Sequence, residues 1–271
     1  MKRKGIVFIL AVILIVTIWG PEVITAYSDR KILNKIQVEE TEDETQGYRY
    51  RLNSGEKLFL LSRCLDRQSV LEEKEHMENQ AGVSTVYGEM EGTYAFIINH
   101  KGPTGREISR EEIFETANRQ IEKLMQLGLI PKGIKTLKEE SYTAQFYSAI
   151  DVLEPRNNVA VWKISLSNSQ SNADKKNRVI DLILDGDTGK IYEFYVRTPL
   201  VWEEIDPKKM VDNWAEDLGL GEATEYESEN PLLETTPYFK KYSILGMGEE
   251  KTVVTIGFYE GINELFLKIT R

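Results

Sequence analysis

The chain has 271 residues, 41% hydrophobic and 10% aromatic, which excludes a disordered polypeptide and allows one large or two small cores. Its net charge of −10 disfavours non-specific binding to nucleic acid, whose phosphates it would repel. Cys64 is the only cysteine, which excludes an intrachain disulfide and any multi-cysteine metal centre.

The chain opens with Lys2, Arg3 and Lys4 ahead of an apolar run from Gly5 to Trp19, interrupted by Pro21 and Glu22 and resumed at Val23–Ala26. A basic flank followed by such a run is the grammar of a secretory signal or signal-anchor. The positive flank keeps the N-terminus in the cytoplasm and sends the rest outside. Counted through to Ala26, the run reaches the ~20 residues that a spanning helix needs. Cleavage after Ala26 would put Ile24 where a small residue is preferred, so an uncleaved anchor is the favoured reading and a secreted form the alternative. Tyr27–Gln46 is polar and contains the acidic cluster Glu39-Glu40-Thr41-Glu42-Asp43-Glu44, which reads as a solvated stalk. A short helix over Asp29–Val38 would place Ile32, Leu33 and Ile36 on one face.

From Ser54 to about Leu71 the apolar residues Leu58, Leu61, Cys64 and Leu65 recur at helical spacing. Lys57 stands three residues after Ser54, so that start has no full capping box. Tyr94–Ile98 reads as a strand. Ser109 and Glu112 then form an S-x-x-E box ahead of the stripe Ile113, Phe114, Ala117, Ile121, Leu124 and Met125, predicting a helix that Gly128 ends. Strands are predicted over Tyr142–Ile150, Val159–Leu166, Val179–Leu184 and Lys190–Arg197. The last two flank the turn Asp185-Gly186-Asp187-Thr188-Gly189, a hairpin signal. The Ser/Asn-rich stretch Ser167–Asn177 is an exposed loop.

The plan then repeats in shorter form. Asp206-Pro207 starts a helix with the stripe Met210, Val211, Trp214 and Leu218. Glu222–Asn230 reads as an acidic loop. Tyr238–Leu245, Thr252–Tyr259 and Ile262–Ile269 are strand candidates. Both helices end in L-G-L, at Leu127-Gly128-Leu129 and Leu218-Gly219-Leu220.

The first copy resembles a PepSY-type module. The resemblance is carried by the helix Ser109–Gly128 with its L-G-L end, by Val159–Leu166 containing Trp162, and by the D-x-x-T-G-K turn Asp185–Lys190. It covers about Ser109–Arg197. It implies a cystatin-like fold, a helix against a curved antiparallel sheet, in a bacterial protein outside the cytoplasm on a single anchor. It also implies a role in inhibiting or regulating peptidases or membrane signalling proteins. It supplies no catalytic residue, and the second copy lacks the Thr-Gly-Lys turn.

Candidate chemistry is sparse. Counted as a calcium loop from Asp185, the fifth, sixth and twelfth positions are Gly189, Lys190 and Val196, which breaks the pattern. Asp185 and Asp187 are read as binding turn amides instead. His76 and His100 lack metal-binding spacing. No G-x-S-x-G elbow occurs, and Cys64 lies on an apolar stripe, where a thiol is inert. The aromatic residues Phe146, Tyr147, Trp162, Tyr192, Phe194 and Tyr195 crowd the first sheet and alternate between its faces, so those opposite a covering helix make a candidate interaction surface.

The expectation is therefore α+β: tandem helix-on-antiparallel-β-sheet (cystatin/PepSY-like) units behind an N-terminal transmembrane helix. The divisions are 1–26 anchor, 27–53 stalk, 54–108 helical lead-in with one strand, 109–200 PepSY-like unit and 201–271 second unit. The expected role is a non-enzymatic interaction or regulatory module, inserted in the membrane through residues 5–26 and meeting a protein partner at the cell surface. No cofactor, catalytic residue or metal is expected. A carrier of a small ligand or lipid is the alternative, and a hydrolase the least favoured reading.

Overall fold

The computed structural model describes residues 49–65, 93–167, 176–227, 235–246 and 250–270. The chain divides into two units, Met1–Thr45 and Gln46–Arg271, and every described residue belongs to the second. The leader, most of the stalk, the 29–38 helix, His76 and most of the 167–177 loop lie outside the described residues. Among the described residues no helix is long and apolar enough to cross a membrane.

The fold is α+β. A helix at residues 54–65 (α1) precedes β1 (Tyr94–Ile98), α2 (Ile113–Gln126), β2 (Tyr142–Asp151), β3 (Asn158–Leu166), β4 (Arg178–Asp185), β5 (Ile191–Arg197), α3 (Pro207–Leu218), β6 (Thr224–Tyr226), β7 (Phe239–Leu245), β8 (Lys251–Tyr259) and β9 (Glu264–Thr270). All nine strands form one antiparallel sheet in the order β1-β2-β3-β4-β5-β9-β8-β7-β6. The two helix-and-strand units are thus joined edge to edge by β5 pairing with β9. β6 falls inside the stretch expected to be an acidic loop. Its hydroxyl Thr224 pairs with Ser243 of β7 and lets this short segment finish the sheet edge.

Register assigns the two faces. Ala144, Ile164, Leu182, Phe194, Leu267 and Ile256 form one row across six strands. α2 and α3 cover this apolar face: Met210 of α3 shares a groove with Leu265, and the Trp214 indole donates to Ile191 O at 3.0 Å. The adjacent row of the opposite face holds Lys163, Ile183 and Glu193, and Leu65 of α1 lies against it. α1 is therefore buried on most of its circumference, with Leu58, Phe59, Leu60, Leu61, Ser62 and Cys64 all buried. Cys64 lies against Ile150 at the end of β2, while its neighbour Arg63 pairs with Glu250 at the start of β8. Strands about 4.8 Å apart would put β2 and β8 roughly 24 Å from each other in a flat sheet, so the sheet curls around α1.

The helix ends show how local sequence acts. α1 has a reciprocal capping box one residue earlier than the Ser54 start: Asn53 Oδ1 accepts from Glu56 N at 2.9 Å, and Glu56 Oε2 accepts from Asn53 N at 2.8 Å. The box expected at Ser109 does not cap α2. A turn closed by Glu112 N on Ser109 O intervenes before Ile113, so Ser109 falls outside the cap and its hydroxyl donates to the Glu112 carboxylate instead. α3 begins as expected, Asp206 accepting from Lys209 N with Pro207 in the first turn. Both L-G-L sequences form the same Schellman end. Leu129 N bonds Leu124 O and Leu220 N bonds Ala215 O, around left-handed Gly128 and Gly219.

Candidate functional site

The β4–β5 turn is the most connected polar centre of the described structure. Its backbone closes through Gly189 N on Asp185 O and Asp185 N on Lys190 O. Gly189 is left-handed at φ +73, and a Cβ there would come within 3.0 Å of Ile108 Cδ1 while colliding with Thr116 of α2. Thr-Gly is thus the contact that seats the turn on α2. Asp185 Oδ1 accepts from Asp187 N at 2.9 Å and Oδ2 from the Thr188 hydroxyl at 3.0 Å, the turn role read from sequence.

Three further side chains then converge on the two aspartates, Lys57 and Arg49 from far along the chain and Tyr192 from β5. Lys57 of α1 donates to Asp185 Oδ2 at 2.9 Å and to Asp187 Oδ2 at 2.6 Å. Arg49 pairs with Asp187 and, at 3.4 Å, with Glu107. The Tyr192 hydroxyl donates to Asp185 Oδ2 at 3.1 Å. Burial alone would raise the Asp187 carboxyl, but Lys57 and Arg49 outweigh it and hold the group below the usual carboxylate range. Burial, reinforced by Asp185, pushes the Tyr192 phenol well above its ordinary value, so it stays a donor.

A cleft of about 500 Å³ opens beside this cluster, where the start of α1, the β4–β5 turn, the end of α3 and Gly246 meet. Its charged groups are already bonded: Lys57 and Asp185 to each other, and Lys190 to Asp217 O at 2.6 Å. The arrangement locks three elements together and presents no uncommitted base or nucleophile among these groups. Compared with known proteins, the chain matches no family model, no curated protein and no solved structure.

The aromatic residues expected to form an interaction surface have another place. Phe146, Tyr147, Trp162, Tyr192 and Phe194 are buried, and Tyr195 is half-buried. Phe146 packs on Trp162, whose indole donates to Ile108 O, and Tyr147 stacks on Phe96. Tyr195 stacks on Phe266 with centroids 5.5 Å apart. The reading failed because both sheet faces are covered over these strands, the second by α1. Cys64 is buried, and burial pushes its thiol up to about 12, which keeps it neutral and unreactive. His100 lies exposed on the loop after β1.

Sequence reasoning missed Arg49, Lys57 and Glu107. The signal was a lysine and an arginine lacking acidic partners at helical spacing, which is too common to single them out. It also missed Glu193, an acid among the apolar and aromatic residues Ile191–Val196, where a carboxylate has to have a reason.

Proposed function

We propose that this chain is a non-enzymatic, membrane-anchored module outside the cytoplasm that engages another protein by taking an extended, apolar segment of it onto the edge of its sheet. The observation that carries the reading is β1. Among the described residues it is one of the two terminal strands of the sheet, pairing with β2 alone. Its sequence Tyr-Ala-Phe-Ile-Ile holds no charge and no proline, the usual devices that protect an edge, and Ile97 and Ile98 are 49% and 43% exposed. The PepSY-like resemblance of the first unit and the basic-then-apolar leader support the compartment and the regulatory role. The layered fold, helices against an antiparallel sheet, is compatible with a cystatin-like relationship.

The test is crosslinking in intact membranes. A reactive group at position 98 should capture a discrete partner, and Ile97→Lys in the protein so labelled should abolish the capture without changing the circular dichroism of the protein. An Ile97→Lys variant that crosslinks as the parent does would overturn the β1 reading.

A second reading, a carrier of a small apolar ligand, rests on a groove of about 340 Å³ between the ends of α2 and the start of α3, lined by Met125, Leu129, Ile130, Met210 and Leu265. Met210→Trp would close it. Binding of an apolar fluorescent probe that survives this change would count against the groove.

A further inference from the structure

The two halves of the sheet meet at a short join. β5 and β9 share four residue pairs, Phe194–Arg197 against Glu264–Leu267, whereas the β7–β8 and β8–β9 ladders have seven each. Just beyond the join a side chain replaces the ladder: Ile269 N donates to Glu193 Oε1 at 2.7 Å. Glu193 is 7% exposed. A cavity of about 180 Å³ lies beside it, lined by Leu65, Lys163, Asp181, Ile183 and Tyr195 among others.

We propose that Glu193 is a proton-operated latch on the seam between the two helix-and-sheet units, holding the seam closed when protonated and loosening it when ionised. A buried carboxylate anion demands compensation that a neutral carboxyl does not. Among the described residues, the Ile269 N–H favours the anion most, followed by Lys268 from β9 and Lys163 from β3, while Asp181 from β4 opposes it. Tyr195 from β5 is a neutral phenol, raised by burial and then by Glu193, and α1 contributes only the apolar Leu65. Asp181 is itself raised by burial, and its Oδ1 has no hydrogen-bond partner among the described residues, so the pair is poorly placed to hold two negative charges. Burial outweighs the Ile269 amide and the two lysines together and raises the Glu193 carboxyl to about 7.

The protonated group keeps its carbonyl oxygen on Ile269 N with no charge to solvate. Opening the seam admits water and returns the carboxyl toward its ordinary value of 4.5. The closed form then binds the proton more tightly than the open form. Opening therefore grows as pH rises from about 4.5 to about 7 and levels off above.

The experiment is hydrogen exchange at the Ile269 amide of the full chain in detergent micelles, each rate divided by the intrinsic rate at that pH. Between pH 5 and pH 8 the protection should fall at least about tenfold in the parent and stay level in Glu193→Gln. Asp181→Asn should keep the transition and move it to lower pH, because it removes a like charge. Equal parent protection at both pH values, or the same fall in Glu193→Gln, would overturn the latch. Should Glu193→Gln fail to fold, the parent's Ile269 amide chemical shift decides: a midpoint near neutrality supports the latch, and a shift that does not titrate rejects it.

Discussion

Asp185 is 4% exposed and carries five bonds at once, to Lys57 through both oxygens, to Asp187 N, to Thr188 and to Tyr192. A buried acid so surrounded organises its neighbours, and its loss leaves the Lys57 cation with Asp187 alone. Asp185→Ala leaves the Lys57 ammonium without its fully buried partner and removes the side-chain support of the turn. The expected cost is about 3–5 kcal/mol, read as a lower urea midpoint at unchanged m. Asp187 behaves differently because its side chain is a quarter exposed, at 25%. Its folded value is lowered, so its contribution is fully present above the ordinary carboxylate range and fades as pH falls through the lowered value. Asp187→Asn should flatten the acid limb of a stability–pH curve and leave its neutral limb in shape. The turn aspartates were legible in the sequence because Asx side chains bind local amides. Lys57 was not, since it arrives from 128 residues away and nothing in its own neighbourhood points to the turn.

The elements follow local rules closely where those rules act alone. The stripes of α2 and α3, their L-G-L ends and most strands were readable, because apolar period and glycine position are properties of short windows. The misses came where tertiary contact decided. Ser109 lost its cap to an extra turn, β6 formed because β7 offered it an edge, and the sheet aromatics became core because α1 crosses the second face. The β4–β5 turn joins both kinds of rule. Gly189→Ala imposes a left-handed alanine and drives its Cβ into Thr116. A loss of at least about 2 kcal/mol is expected, larger than for Gly219→Ala, where the same left-handed strain meets open space. Thermal denaturation of the two variants side by side checks the ranking.

At the scale of the molecule, the sequence repeat suggests two domains, but the contacts argue for one cooperative body from Gln46 onward. No short window encodes the pairing of β5 with β9, because the two strands are separated by α3 and three other strands, and either could have ended its own sheet. Besides that ladder and the Glu193–Ile269 bond, contacts made by the helices cross between the units. Asn213 Nδ2 of α3 donates to Leu127 O at the end of α2 at 2.7 Å, Lys123 pairs with Asp217, and the Trp214 indole holds β5. Trp162 and Trp214 report one unit each, both buried to within 2% exposure. With Trp19 and Trp202 replaced by Phe, two variants each keep one of these reporters. At pH 6, where the seam glutamate is largely protonated, fluorescence and far-UV circular dichroism should give coincident urea midpoints in both variants. Separate midpoints would mean that the halves unfold alone and that the shared sheet is a juxtaposition. If the seam loosens on ionisation, any such separation should emerge first at pH 8, and Glu193→Gln should suppress it.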